Sequence, residues 1–127
     1  MLNNKGQTLI IFVILLPIIM LIFAFMIDVS FMYMENNKLN NINKLVINYG
    51  LDNMDEEDLN LKIIELINKN DKEININQIT IKDDEIYSDL SKDTKSTFGK
   101  IIGINKYKVI SKYKGIIKEN KKEITKG

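Results

Sequence analysis

The chain contains no cysteine, histidine or tryptophan, and its 18 basic residues are all lysine. Without cysteine there is no disulfide framework and no thiolate zinc site. Without histidine or cysteine there is no histidine base, and neither a Cys nor a Ser–His nucleophilic centre can be built. Proline occurs once, at Pro17, and alanine once, at Ala24. Charge of one sign is lacking too: the net charge is +1, so a strong global attraction to nucleic acid is not expected. What is abundant is Ile and Asn, with 24 and 16 copies. This Ile/Asn/Lys skew resembles the codon usage of an AT-rich genome, so single residues of these types carry little weight. The 127 residues leave room for one small domain, or a domain plus an anchor.

Charge is also missing locally. Thr8 to Ile27 is an uncharged run of 20 residues, and nearly all charge follows it. As a helix this run measures about 30 Å, the hydrocarbon thickness of a bilayer. A core helix of so small a soluble protein would keep a polar stripe. This one is apolar all round, which predicts a membrane-spanning helix. Pro17 cannot donate to the Val13 carbonyl and is expected to kink the span, which transmembrane helices tolerate. The run exceeds the length of a secretory signal, and no A-x-A site follows it. Lys5 on one flank and Lys38 and Lys44 on the other leave the orientation unsettled by charge.

Lys5-Gly6-Gln7 ahead of this span resembles the cleavage site of type IV prepilins. The spacing is similar to that of TadE/TadG-like pseudopilins of the tight-adherence (Tad/Flp) pilus system. Gly6, Phe12 and Pro17 match the pattern at the start of the span. Asp28, Tyr33 and Leu39-Asn40-Asn41 match the pattern beyond it. The likeness covers residues 5 to about 50 and extends only in general form to the rest. It implies cleavage by a prepilin peptidase between Gly6 and Gln7, with residues 1–6 cytoplasmic and residues 29–127 outside. It also implies a single-pass position in the cell membrane, or a place within the pilus. The implied partners are the lipid bilayer, other Tad pilins and pseudopilins, and their assembly platform. One departure stands out: many prepilins carry Glu where this chain has Ile11. An unpaired charge in an apolar fibre is costly, and Ile11 cannot balance a neighbour's terminal amine. Its presence favours a minor or membrane-retained component over a major subunit.

Beyond the span, Leu39, Ile42, Leu45, Val46 and Tyr49 form a helical stripe, so the anchor is expected to run on as a stalk helix ended by Gly50. Asp55-Glu56-Glu57-Asp58 then opens a second helix, with Asp55 as N-cap and the acids complementing the helix dipole. Leu59, Ile63, Leu66 and Ile67 form its apolar face. The acid cluster lacks EF-hand spacing, and no metal or other cofactor is assigned. Ile74, Ile76, Ile79 and Ile81 predict a strand with a bulge near Asn77-Gln78, followed by a turn at Asp83-Asp84-Glu85. Ile86-Tyr87 reads as the start of a short second strand, because Ser88 to Ser96 is polar and reads as a loop. Phe98, Ile101 and Ile102 suggest a helical turn ended by Gly103. Tyr107 to Lys114 reads as a strand with one lysine face, suited to a sheet edge. Residues 116–127 read as a frayed helix or a disordered tail.

The expected fold is therefore α+β: a long hydrophobic helix, then a small head with a helix and a few-stranded antiparallel sheet. The expected parts are a leader (1–6), a transmembrane helix (7–27), a stalk helix (28–50), a head (51–115) and a Lys-rich tail (116–127). Residues 52–93 hold 13 acids and 5 Lys, whereas residues 94–127 hold 10 Lys and 2 acids. The two blocks could attract each other within one head or pair between subunits. Three functions compete. The first is a minor pseudopilin acting through helix packing, for which Gly6, Gln7, Phe12, Pro17 and Asp28 would matter most. The second is a membrane-anchored module whose basic C-terminal region meets anionic lipid, wall polymer or DNA, although no recognised nucleic-acid motif is present and no specific nucleic acid is predicted. The third, an enzyme, is disfavoured: no catalytic constellation stands out, and a head of roughly 75 residues leaves little room for a pocket.

Overall fold

The uncharged run and the stripe that follows it form one helix. In the computed structural model, which describes residues 4–127, α1 (Asn4–Asp52) runs for 49 residues through Pro17, a length of about 73 Å. Residues 1–3 of the expected leader lie outside the described residues. The head is α+β, as the periodicities predict. A second helix, α2 (Leu59–Asn70), follows α1. Four strands come next: β1 (Asn75–Lys82), β2 (Glu85–Lys95), β3 (Lys106–Lys118) and β4 (Lys121–Lys126). They form an antiparallel meander in the order β1-β2-β3-β4. The C-terminal half of α1 crosses the inner face of β2 and β3, and α2 lies beside it.

The core sits between these layers. Leu39, Val46 and Ile47 of α1 meet Ile63 and Ile67 of α2 and Leu90 of β2, all essentially buried. Two glycines let the backbones approach. A Cβ on Gly50 would collide with the Ile86 side chain and lie 3.1 Å from Ile63 Cδ1. On Gly115 it would collide with Ile47 and lie 2.9 Å from Leu51 Cδ1. Polar ties cross the same interface. The Asn43 amide, fully buried, donates to the carbonyls of Ser88 (3.3 Å) and Ser111 (3.0 Å) and to the Ser111 hydroxyl (3.1 Å).

Several local expectations are corrected. Gly50 does not end α1, which continues to Asp52; the glycine is a close-packing position inside the helix. Leu45 of the expected stripe is 50% exposed, and Asn43 occupies the buried face instead. The N-cap of α2 is Asp58, not Asp55, and it makes no side-chain capping bond. The acid cluster belongs to the turn before the helix. Ser88 to Lys95 is not a loop but the body of β2, whose Ser88 and Ser91 are buried. β3 is an inner strand, flanked by β2 and β4. Its lysines are tolerated because, among the described residues, no layer covers the outer sheet face. Residues 116–127 are neither helix nor disordered: they complete β3 and form β4, joined by a turn with positive φ at Glu119 and Asn120. The head therefore extends past residue 115 to the C-terminal strand. The bulge between Ile76 and Gln78 falls where the alternation breaks in the sequence.

Candidate functional site

The first half of α1 is bare. Every large apolar residue from Leu9 to Ile27 is 43% to 64% exposed. A contiguous apolar surface of this size is not stable in water and marks a membrane or partner contact. The helix is long and apolar enough to span a membrane. Gly6, Gln7, Phe12 and Pro17 all lie exposed along it, and nothing lies within 4 Å of a Cβ placed on Gly6.

Where the bare surface meets the head, Asp28 is drawn inward rather than left at a polar boundary; it is 3% exposed. It holds the connection between β2 and β3, whose centre is a 3-10 turn, Gly99–Ile102, ended by Gly103 at φ +88°. Asp28 Oδ2 accepts from the Ser96 hydroxyl (2.9 Å) and from the amides of Gly99 (2.9 Å) and Phe98 (3.1 Å). Oδ1 accepts from the Thr97 amide (3.0 Å). The Ser96 hydroxyl also accepts from the Gly99 amide at 2.7 Å, and the Tyr107 hydroxyl lies 3.5 Å from Oδ2. Gly99 has no room for a side chain: a Cβ would collide with Ser96 Oγ and lie 2.6 Å from the Tyr107 hydroxyl. Burial opposes ionisation of Asp28. The Ser96 hydroxyl and the amides of Thr97, Gly99 and Phe98 outweigh it and hold the carboxyl below its ordinary 3.8. A carboxylate so fully engaged is a structural clasp, with little capacity left for proton transfer.

A second clasp lies about two turns further along α1. The Lys92 ammonium of β2 bridges Glu35 (2.8 Å) and Asp71 (2.6 Å), tying α1, β2 and the residue that caps the end of α2. It borders an open cleft of about 570 Å³ lined by Phe31, Glu73, Asn75 and Thr97 among others. Since both neighbouring carboxylates already hold the ammonium, the cleft gains no free cation from Lys92.

The residues singled out in the sequence thus do not converge. Gly6, Gln7, Phe12, Pro17 and Tyr33 stay on open helix surface, Tyr33 at 69% exposure. Asp28 and Leu39 are taken into the head. Sequence reasoning missed Ser96, Gly99, Lys92 and Asn43. The one local signal was Ser96-Thr97-Phe98-Gly99 ahead of a turn ended by glycine, where free amides need an acceptor. Among the described residues no three acidic side chains gather as a metal site. The basic segment is not an isolated patch either: Lys112 and Lys108 of β3 stand opposite Asp89 and Asp93 of β2, and Lys114 pairs with Glu85 at 2.8 Å. Compared with protein-family profiles, curated proteins and solved structures, the chain matches none.

Proposed function

We propose that this protein is a minor, TadE/TadG-like pseudopilin of a Tad-type adhesion pilus, anchored in the cell membrane by the first half of α1. It acts by lateral packing of that apolar half with other pilin helices and by display of its head outside the membrane. The observation that carries the reading is the division of one unbroken helix. Its first half offers apolar side chains on every side, and its second half is the spine of a small α+β head. The exposed Lys5-Gly6-Gln7 segment supports it, since a peptidase needs an open site. Ile11 in place of an acid favours a minor subunit, because a fibre of many copies would leave each terminal amine unbalanced in an apolar core.

Mass spectrometry of the protein isolated from cells holding a prepilin peptidase tests the proposal. The expected mature chain begins at Gln7. An intact start at Met1 in such cells would sink it.

A further inference from the structure

The 3-10 turn gripped by Asp28 carries apolar side chains that the head does not use. Ile101 and Ile102 are each 68% exposed and Ile104 is 39% exposed. They do not sit at a remote corner. With Phe98, Ile101 and Ile102 border a crevice of about 140 Å³ whose other wall is Leu21, Ala24 and Phe25 of α1. Ala24, at 8% exposure, is the only residue between Leu9 and Ile27 that the chain covers.

These neighbours set a depth. Leu21 to Phe25 precede the end of the uncharged run by two to six residues, or about 3–9 Å along the helix. The turn therefore lies beside the last stretch of the span, below its end. Asp28 is no obstacle at that level, because five groups of the head surround its charge. The apolar surface of α1 also continues past Asp28, through exposed Val29, Phe31 and Met34.

We propose that the Phe98–Ile104 turn is a membrane wedge: it enters the leaflet facing the head beside α1, with Ile101 and Ile102 among the acyl chains. The inference rests on reading α1 as a membrane anchor. A bilayer is the occupant rather than a neighbouring helix for two reasons. The turn presents two adjacent protruding isoleucines, continuous with the bare span, rather than a groove to receive a rod. Exposed Lys95 and Lys106 flank it, and exposed Lys100 lies within it on a stem long enough to reach the headgroups; this complements anionic headgroups and would have no counterpart on an uncharged helix. The wedge seats the head directly on the membrane surface in one orientation.

The absence of tryptophan makes the test direct. Three full-length variants, Ile102→Trp, Phe12→Trp and Lys121→Trp, each carry a single indole. Each is reconstituted at one copy per nanodisc of phosphatidylcholine and phosphatidylglycerol, with and without bromine near the headgroup end of the acyl chains. Ile101→Trp serves as a second wedge position. Emission from Ile102→Trp is expected to be blue-shifted like that of Phe12→Trp and to be quenched by bromine, whereas Lys121→Trp stays red and unquenched. If Ile102→Trp and Ile101→Trp instead match Lys121→Trp while Phe12→Trp is quenched by acyl bromine, the wedge is refuted and the anchor stands. If Phe12→Trp also escapes bromine placed at any acyl depth, the anchor fails and the wedge with it. A blue shift that needs several copies per disc and resists bromine would assign the turn to a neighbouring helix and overturn the proposal.

Discussion

At the scale of single residues, Asp28 shows how a carboxylate at the end of an apolar run can serve the fold rather than mark a boundary. Its native pKa lies below the ordinary value, so its contribution to stability is fully present above about pH 3.8 and is lost as pH falls through the depressed native value. The Asp28→Asn variant keeps one acceptor oxygen and loses the charge. We expect it to melt lower than wild type at neutral pH, with the gap closing in acid below that range. A thermal-melt series against pH in detergent checks this, and a gap independent of pH would contradict it. Asp71 acts in the same sense, since burial is outweighed by its bonds to Lys92 and to the Glu73 amide. Lys92 closes the alkaline side. Burial would lower its pKa, but Asp71 and Glu35 raise it above 10.5. That contribution is complete below 10.5 and lost as pH rises through the raised value.

At the scale of elements, the close crossing of α1 over the sheet depends on Gly115. Gly115→Ala would drive a methyl group into Ile47 and Leu51. Overpacking of this kind costs about 1–3 kcal/mol, and a denaturant midpoint that falls with an unchanged m-value is the expected readout. The same crossing explains which elements could be read in the sequence. α1, α2, the bulged β1 and the turn ended by Gly103 rest on periodicity and on glycine chemistry, which are local. β2 could be read only at its start, Ile86-Tyr87, because buried serines break the apolar signal beyond it: the Ser88 carbonyl accepts from Asn43 and the Ser91 hydroxyl donates to Asn77 Oδ1, contacts made only in the folded chain. β4 could not be read. It offers one partly buried apolar residue, Ile124, and owes its order to pairing with β3. Gly50 misled for a related reason: a helix-ending residue and a close-packing residue look alike until the neighbours are known. The clasp at Asp28 joins residues 68 to 71 positions apart, beyond the reach of any local pattern.

At the scale of the whole molecule, the two halves of α1 have opposite needs, and they should separate accordingly. The full chain is expected to stay with membranes through a carbonate wash and to need detergent for extraction. A chain beginning at Ala24, which keeps both clasps and the core, is expected in the soluble fraction with a single cooperative melt. Recovery of the full chain in that fraction without detergent would contradict the division drawn here. The opposed charge blocks bear on the same scale, because they meet within one head through the Lys114–Glu85 and Lys122–Asp52 pairs and through Lys112 and Lys108 opposite Asp89 and Asp93. The unbroken course of α1 has one more consequence. Because one helix runs from the bare end into the head, the rod acts as a screw. Each residue gained or lost between Gln7 and Leu21 would turn the head by about 100° and lift it about 1.5 Å relative to the first helical turn. The number of residues in that stretch therefore sets the phase at which the head meets whatever stands beside it.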